Sequence, residues 1–209
     1  TPLGVILGYA TFLKDEAQGE LSEHAEAVLN SALKMRVLIE DMTNLSLMKE
    51  GTASLALHPV SIQAVLQQAF NEMLEMADAN VIELSMQMPE TPVKVNADPD
   101  KLVLVFANVL NNAIRFTPRG GRVSIKAYQE KKEAWVKVTD TGIGIPAHEL
   151  ENIFREFYQI EDHLRRRMGG MGVGLSIARG LLKLHHGRIW AESPGEGKGS
   201  TFTIVLPLQ

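Results

Sequence analysis

Between Leu21 and Met48 apolar residues return about every 3.5 positions: Leu21, Ala25, Val28, Ala32, Met35, Leu38, Ile39, Met42, Leu45 and Met48. That period is the seam of helices packed lengthwise against one another. Upstream, Leu3, Ile6, Leu7, Ala10 and Leu13 recur at helical spacing behind Pro2, which suits a first turn, and the pattern breaks at Gln18-Gly19-Glu20. The spacing predicts a helical hairpin over residues 1–50, with Ser22 as the cap of its second helix. Two helices cannot enclose both of their apolar faces. The hairpin is therefore expected to pair with a second copy in a four-helix bundle, as a homodimer; the alternative is packing on the rest of its own chain.

Beyond a linker at Gly51–Pro59 the pattern becomes mixed. A helix near 61–79 starts at Ser61 as cap, Val93-Lys94-Val95 reads as a short strand, and Asp98 caps a helix over about 99–116 that Thr117-Pro118-Arg119-Gly120-Gly121 stops. Val123, Ile125 and Ala127 alternate, as do Ala134, Val136 and Val138, with a turn at Gln129–Glu133. Helices near 147–154 and 173–186 and strands at Arg188–Ser193 and Ser200–Leu206 complete the pattern. Helices falling in blocks between antiparallel strands predict an α+β chain: a helical hairpin over 1–55, then a two-layer α/β sandwich over 56–209 with helices on one face.

Composition narrows the functions open to such a chain. Its 209 residues, 45% hydrophobic, can bury a core. With no cysteine there is no disulfide framework and no thiolate, so any metal is held by oxygen or imidazole, consistent with a reducing, cytoplasmic location. The net charge of −4 gives no sequence-independent attraction for nucleic acid. No apolar run approaches the ~20 residues that span a bilayer, so no membrane segment is expected here. The opening, Thr1-Pro2-Leu3-Gly4, has neither a Met nor the pattern of a signal peptide, and a preceding N-terminal part is expected.

Three segments suit a phosphate-bearing ligand. In Asn108-Val109-Leu110-Asn111-Asn112-Ala113-Ile114-Arg115-Phe116-Thr117, helical spacing stacks Asn108, Asn112 and Arg115 on one face. Amide oxygens there can ligate Mg²⁺ and the guanidinium can fork onto phosphate, although asparagines on a helix also commonly face solvent. In Val138-Thr139-Asp140-Thr141-Gly142-Ile143-Gly144-Ile145-Pro146 a strand ends in a carboxylate that projects toward a pocket, an acceptor suited to an exocyclic amino group such as adenine's. In Gly169-Gly170-Met171-Gly172-Val173-Gly174-Leu175-Ser176 close glycines open a helix whose N-terminus favours anions. No strand precedes it as a dinucleotide fold requires, and Gly197-Lys198-Gly199-Ser200 lacks the hydroxyl directly after Lys that a P-loop needs, so it reads as a hairpin connection.

In this order the three segments resemble the N box and the two glycine boxes of the sensor histidine kinase catalytic domain, and Phe154-Arg155-Glu156-Phe157-Tyr158 is similar to its F box. The resemblance covers about 60–208, and the hairpin resembles the family's dimerisation and phosphotransfer domain. It implies a Bergerat-type site for ATP and Mg²⁺. Asn112 would ligate the metal, Asn108 would assist it, and Arg115 would meet phosphate. Asp140 would bind the adenine amino group; Phe116, Gly142, Gly144, Ile145, Tyr158 and Thr201 would shape the nucleotide pocket. Gly170, Gly172, Val173, Gly174 and Leu175 would lie by the phosphates, and one of Arg165, Arg166 and Arg167, in a lid over about 159–169, would neutralise the γ-phosphate. Two positions depart from the family's habit: Arg115 stands where Lys is common, and Gln159 where Arg often follows the tyrosine.

Thr1-Pro2-Leu3 matches the end of the family's His-Glu-x-x-Thr-Pro segment, which would put the phosphoacceptor histidine just before residue 1. Thr1 would then be the threonine that one branch of the family uses to position water for dephosphorylating a response regulator. None of His24, His58, His148, His163, His185 and His186 replaces the acceptor, the last two ending a helix where imidazolium is favoured. The implied partners are a response-regulator receiver domain and an upstream sensor domain. Two rival readings are an ATPase of the gyrase or mismatch-repair type and a non-catalytic nucleotide-binding dimerisation module. The ATPases carry a water-activating glutamate where Asn108 stands, and Asn is no general base; the anti-sigma serine kinases share that glutamate.

Overall fold

The computed structural model describes residues 2–16, 18–49, 54–160 and 171–209. The chain divides into two compact units, Thr1–Thr52 and Ala53–Gln209. The first is a pair of helices, α1 (Pro2–Glu16) and α2 (Glu20–Lys49). Gly19 makes the turn at φ +66°, and its carbonyl accepts the N–H groups of Ser22 (3.0 Å) and Glu23 (3.4 Å). α2 therefore begins at Glu20 with Ser22 inside it, and the glycine turn replaces the cap expected of Ser22. Ala10, Ala25, Ala32 and Leu45 are buried, and Lys14 and Glu26 join the two helices at 3.2 Å. Leu21, Val28, Met35 and Met42, spaced every seven residues along α2, stay 48–57% exposed.

The second unit carries a two-stranded sheet, β1 (His58–Ser61) antiparallel to β3 (Lys94–Ala97), so the end of the expected linker is strand. Its main sheet has five strands: β2 (Glu83–Gln87), β4 (Arg122–Glu130), β5 (Glu133–Asp140), β7 (Ser200–Pro207) and β6 (Arg188–Glu192), in that spatial order. β2 runs parallel to β4 and the remaining pairs are antiparallel, which makes the sheet mixed rather than purely antiparallel. Val123, Ile125, Ala127, Val136, Val138, Phe202 and Ile204 alternate onto one buried face. The helices α3 (Ile62–Ala79), α4 (Pro99–Arg115) and α5 (Gly174–Leu184) cover it, and the α+β sandwich read from the sequence is the fold observed. The helix expected near 147–154 is two 3-10 turns, Ala147–Glu149 and Asn152–Phe154. Ser61 precedes α3 without a capping bond, because its hydroxyl donates to Gln63 Oε1 at 2.9 Å.

α4 is held at its start by Asp98. Oδ1 accepts the Lys101 N–H (3.1 Å) as an N-cap, and Oδ2 accepts the Ala56 N–H (3.0 Å). The Asp98 N–H itself donates to His185 Nε2 at 3.1 Å, while His185 Nδ1 lies 2.8 Å from the Leu181 carbonyl, to which it donates. An imidazole accepting at one nitrogen is neutral. Burial pulls the His185 pKa down, contrary to the helix-end imidazolium expected from the sequence. α5 closes as a Schellman motif, with His186 at φ +57°, His186 N–H bonded to Lys183 and Gly187 N–H to Leu182.

Burial alone would raise the Asp98 carboxyl, but its two backbone N–H donors and the Lys101 charge outweigh this and hold it low. Replacing Asp98 by Ala should cost about 1–2 kcal/mol of stability by urea denaturation. With a depressed folded pKa, the contribution is present above the unfolded carboxylate range and lost as pH falls through the folded value, so wild type and Asp98→Ala should converge in acid.

Candidate functional site

The apolar stripe of α4, with Leu102, Val105, Phe106, Val109, Leu110, Ala113 and Ile114 buried, leaves Asn108, Asn112 and Arg115 half-buried at its edge. α5 begins at that edge: a Cβ on Gly174 would stand 2.9 Å from Asn108 Oδ1. Among the described residues three buried side-chain polar atoms have no hydrogen-bond partner: Asn108 Nδ2, Trp135 Nε1 and Thr203 Oγ1. Register puts Trp135 and Thr203 on the outer face of the sheet, so Asn108 is the orphan in the α4–α5 cleft. Arg115 lies with its guanidinium carbon 5.9 Å from the Phe116 ring centre, and burial lowers its pKa while leaving a guanidinium charged.

Asp140 closes β5 with a side chain only 5% exposed. Its Oδ1 accepts the Gly142 N–H (2.8 Å) and the Ser200 N–H (3.2 Å), and its Oδ2 accepts the Ser200 hydroxyl (2.5 Å). Burial pushes the carboxyl above its ordinary value, and these donors pull it back only in part. Ser200 is a site residue that sequence reasoning missed, and Thr201, which it named, is not beside Asp140. The register pairs Asp140 with Ser200 and Thr139 with Thr201, so Thr201 lies on the opposite face, where its hydroxyl meets that of Thr139 at 3.0 Å. Counting parity back from buried Phe202 and Ile204 would have found Ser200.

The glycines after Asp140 are demanded by packing. A Cβ on Gly142 would stand 2.5 Å from the Phe116 carbonyl oxygen, and one on Gly144, at φ +69°, would strike the Gly195 carbonyl. Ile143 N–H bonds Phe116 O (3.0 Å), Gly199 N–H bonds Gly142 O (3.0 Å), Gly197 N–H bonds Ile143 O (2.7 Å), and buried Ile145 donates its N–H to Ser193 Oγ (3.0 Å). Thus the end of α4, the end of β5 and the β6–β7 turn form one wall.

A second group stands beside α5. The Tyr158 hydroxyl donates to Glu149 Oε2 (2.5 Å), which also accepts Asn152 Nδ2 (3.2 Å), and His148 Nε2 is 3.4 Å from Glu149 Oε1. The Glu149 carboxylate raises the Tyr158 pKa. Gly172, at φ +70°, lies so close to the Tyr158 backbone that a Cβ would collide with its carbonyl; Val173 is buried and Leu175 half-buried. Glu149 was not singled out by the sequence, where an acid before a charged segment carries no signal of burial. Thr1, Arg165, Arg166, Arg167, His163 and Gly170 lie outside the described residues.

A half-buried amide whose nitrogen has no partner and whose oxygen faces a glycine, together with a buried carboxylate reached by backbone donors, is a donor set that fits a nucleotide and a hard cation: amide oxygen for metal, carboxylate for an amino group. The family model described as histidine kinase-, DNA gyrase B-, and HSP90-like ATPase matches residues 97–209. The circadian input-output histidine kinase CikA of Synechococcus elongatus is 35% identical over all of this chain, which spans 28% of that protein's length. Among solved structures, full-length ShkA in complex with AMPPNP superposes with a TM-score of 0.81 at 26% identity, over 99% of this chain and 43% of the other. The mycobacterial sensor histidine kinase MprB superposes at 0.65 and 29% identity, over 74% of this chain and 99% of the other.

Because folding raises the Asp140 pKa, the carboxylate weakens the fold above that pKa, and the deficit disappears as pH falls toward the unfolded value. Asp140→Asn should therefore lose ground to wild type as pH falls: the thermal unfolding midpoint of the variant relative to wild type should be highest near neutral pH and decline in acid, and a difference that does not vary with pH contradicts this.

Proposed function

Since the chain belongs to the histidine kinase-, DNA gyrase B-, and HSP90-like ATPase family, and within it to the sensor histidine kinases, we propose that it binds Mg-ATP between α4, the Asp140 loop and the start of α5, and passes the γ-phosphoryl to a histidine imidazole. The observation that carries this is Asn108, whose amide oxygen faces Gly174 and whose amide nitrogen is buried without a partner. The nucleotide held by ShkA, a relative superposing over nearly the whole chain, supports the same reading.

Asp140, fixed by Ser200 and Gly142, accepts from the adenine amino group; Asn112 holds Mg²⁺ with Asn108 beside it; Arg115 and one of Arg165, Arg166 and Arg167 neutralise phosphate charge. The backbone at Gly172, Val173 and Gly174 offers N–H groups where α5 begins. Bound Mg-ATP supplies the phosphoryl group and a cation that neutralises its developing charge. The chain contributes mainly positioning and a fixed electrostatic field. Neither Asn108 nor Asn112 takes a proton from water, which favours transfer to a side chain over hydrolysis.

Residues 1–55 form the dimerisation and phosphotransfer hairpin, and residues 56–209 the ATP-binding domain. The exposed seven-residue repeat Leu21, Val28, Met35 and Met42 supports a homodimer through the hairpin. A response-regulator receiver domain receives the phosphoryl group, and a sensor domain of the parent protein supplies the signal. No helix of the described residues is long and apolar enough to cross a membrane.

Incubation with Mg-ATP and a separate hairpin bearing the histidine should yield acid-labile phosphate on that partner, reduced at least about 100-fold by Asn112→Asp or Asn112→Ala. ATP binding without any transfer would leave only the nucleotide-binding scaffold.

A further inference from the structure

The Tyr158 hydroxyl stands on Glu149, and the Tyr158 backbone is the surface on which Gly172 rests. Glu149 is only 9% exposed, yet its Oε2 gathers two donors from different elements, Tyr158 and Asn152 of the second 3-10 turn. Two residues after Gly172 comes Gly174, with no room for a Cβ against the Asn108 amide. A line of close contacts thus runs from a buried carboxylate, through one tyrosine, to the glycine turn facing Asn108. Phe157, just before Tyr158, is held at φ +58°, a left-handed conformation unfavourable for a large side chain, so the backbone here needs an anchor to keep Tyr158 where Gly172 meets it.

From this geometry we infer that Glu149 is a positioning residue for the phosphate-binding end of the site: through its hydrogen bond to Tyr158 it sets the backbone seat of Gly172, and with it the approach of Gly174 to Asn108. The inference rests on the reading of that cleft as a nucleotide site. Its mark is selectivity. The adenine end is held by other bonds, from Gly142 and Ser200 to Asp140 and from Ile145 to Ser193, so loss of the anchor should weaken ligands that carry phosphates and spare those that carry none.

The experiment is calorimetric titration of wild type, Glu149→Ala, Tyr158→Phe, Glu149→Gln and the Glu149→Ala/Tyr158→Phe double variant, each with Mg-ADP and with adenosine. Glu149→Ala and Tyr158→Phe should each weaken Mg-ADP about five- to tenfold, and the double variant no more than either alone. Adenosine affinity should be unchanged. Glu149→Gln, whose amide oxygen still accepts from the tyrosine, should bind Mg-ADP as wild type does. Unaltered Mg-ADP affinity in both single variants overturns the inference, and so does a loss of adenosine binding in the same proportion, which a general loosening of the fold would produce. A wild-type chain that binds neither ligand overturns the nucleotide reading itself, a result distinct from wild-type binding with indifferent variants.

Discussion

The burial of α4 is the constraint on which the second unit depends. Leu102, Phe106, Val109, Leu110, Ala113 and Ile114 are almost wholly removed from solvent, at about 1.5–3 kcal/mol for each of the larger side chains. A helix with that much of its surface committed has little freedom to rotate. The residues at the edge of its apolar stripe, Asn108, Asn112 and Arg115, are therefore set in direction by a packing term much larger than any bond they make themselves. Asp98 adds the axial constraint: it fixes where the helix starts, ties that start to Ala56 and, through its own N–H, to the end of α5.

Against this fixed helix, strand parity brings the remaining groups together. Asp140 shares the inward phase of Val136 and Val138, and Ser200 that of Phe202, so carboxylate and hydroxyl meet on the helix side of the sheet. The glycines at 142 and 144 then allow the chain to turn beneath the Phe116 and Gly195 carbonyls, where a side chain has no space. A buried, partly compensated carboxylate and a buried amide without a partner are both costly to a fold. The carboxylate stands in the wall at the end of β5 and the amide in the cleft between α4 and α5, as two halves of a ligand's recognition would require.

Features governed by local periodicity were legible in the sequence: the hairpin, α4 with its Asp98 cap and its stop at Thr117–Gly121, the β4–β5 hairpin and the sandwich itself. What was not legible depended on distant neighbours. β2 is short, its Leu84 and Met86 only half-buried, and it becomes a strand by pairing with β4. Residues 58–61 are strand because β3 lies alongside, and His185 is neutral because Asp98, 87 positions away, donates to it. At the site, the helix stripe and Asp140 could be read from spacing, whereas choosing Ser200 over Thr201 required the β5–β7 register, and Glu149 required knowing where Tyr158 points.

The proposed nucleotide site requires α4, the Asp140 loop and the start of α5 to bind one ligand together. It is tested most directly by following the side-chain amides of Asn108 and Asn112 and the backbone amides of Gly142, Gly174 and Ser200 by nuclear magnetic resonance during titration with Mg-ATP. All five should respond along a single saturation curve, while the indoles of Trp135 and Trp190 on the outer sheet face stay in place. Response at the indoles alone, or separate curves for the Asp140 loop and the Asn108 helix, would contradict it.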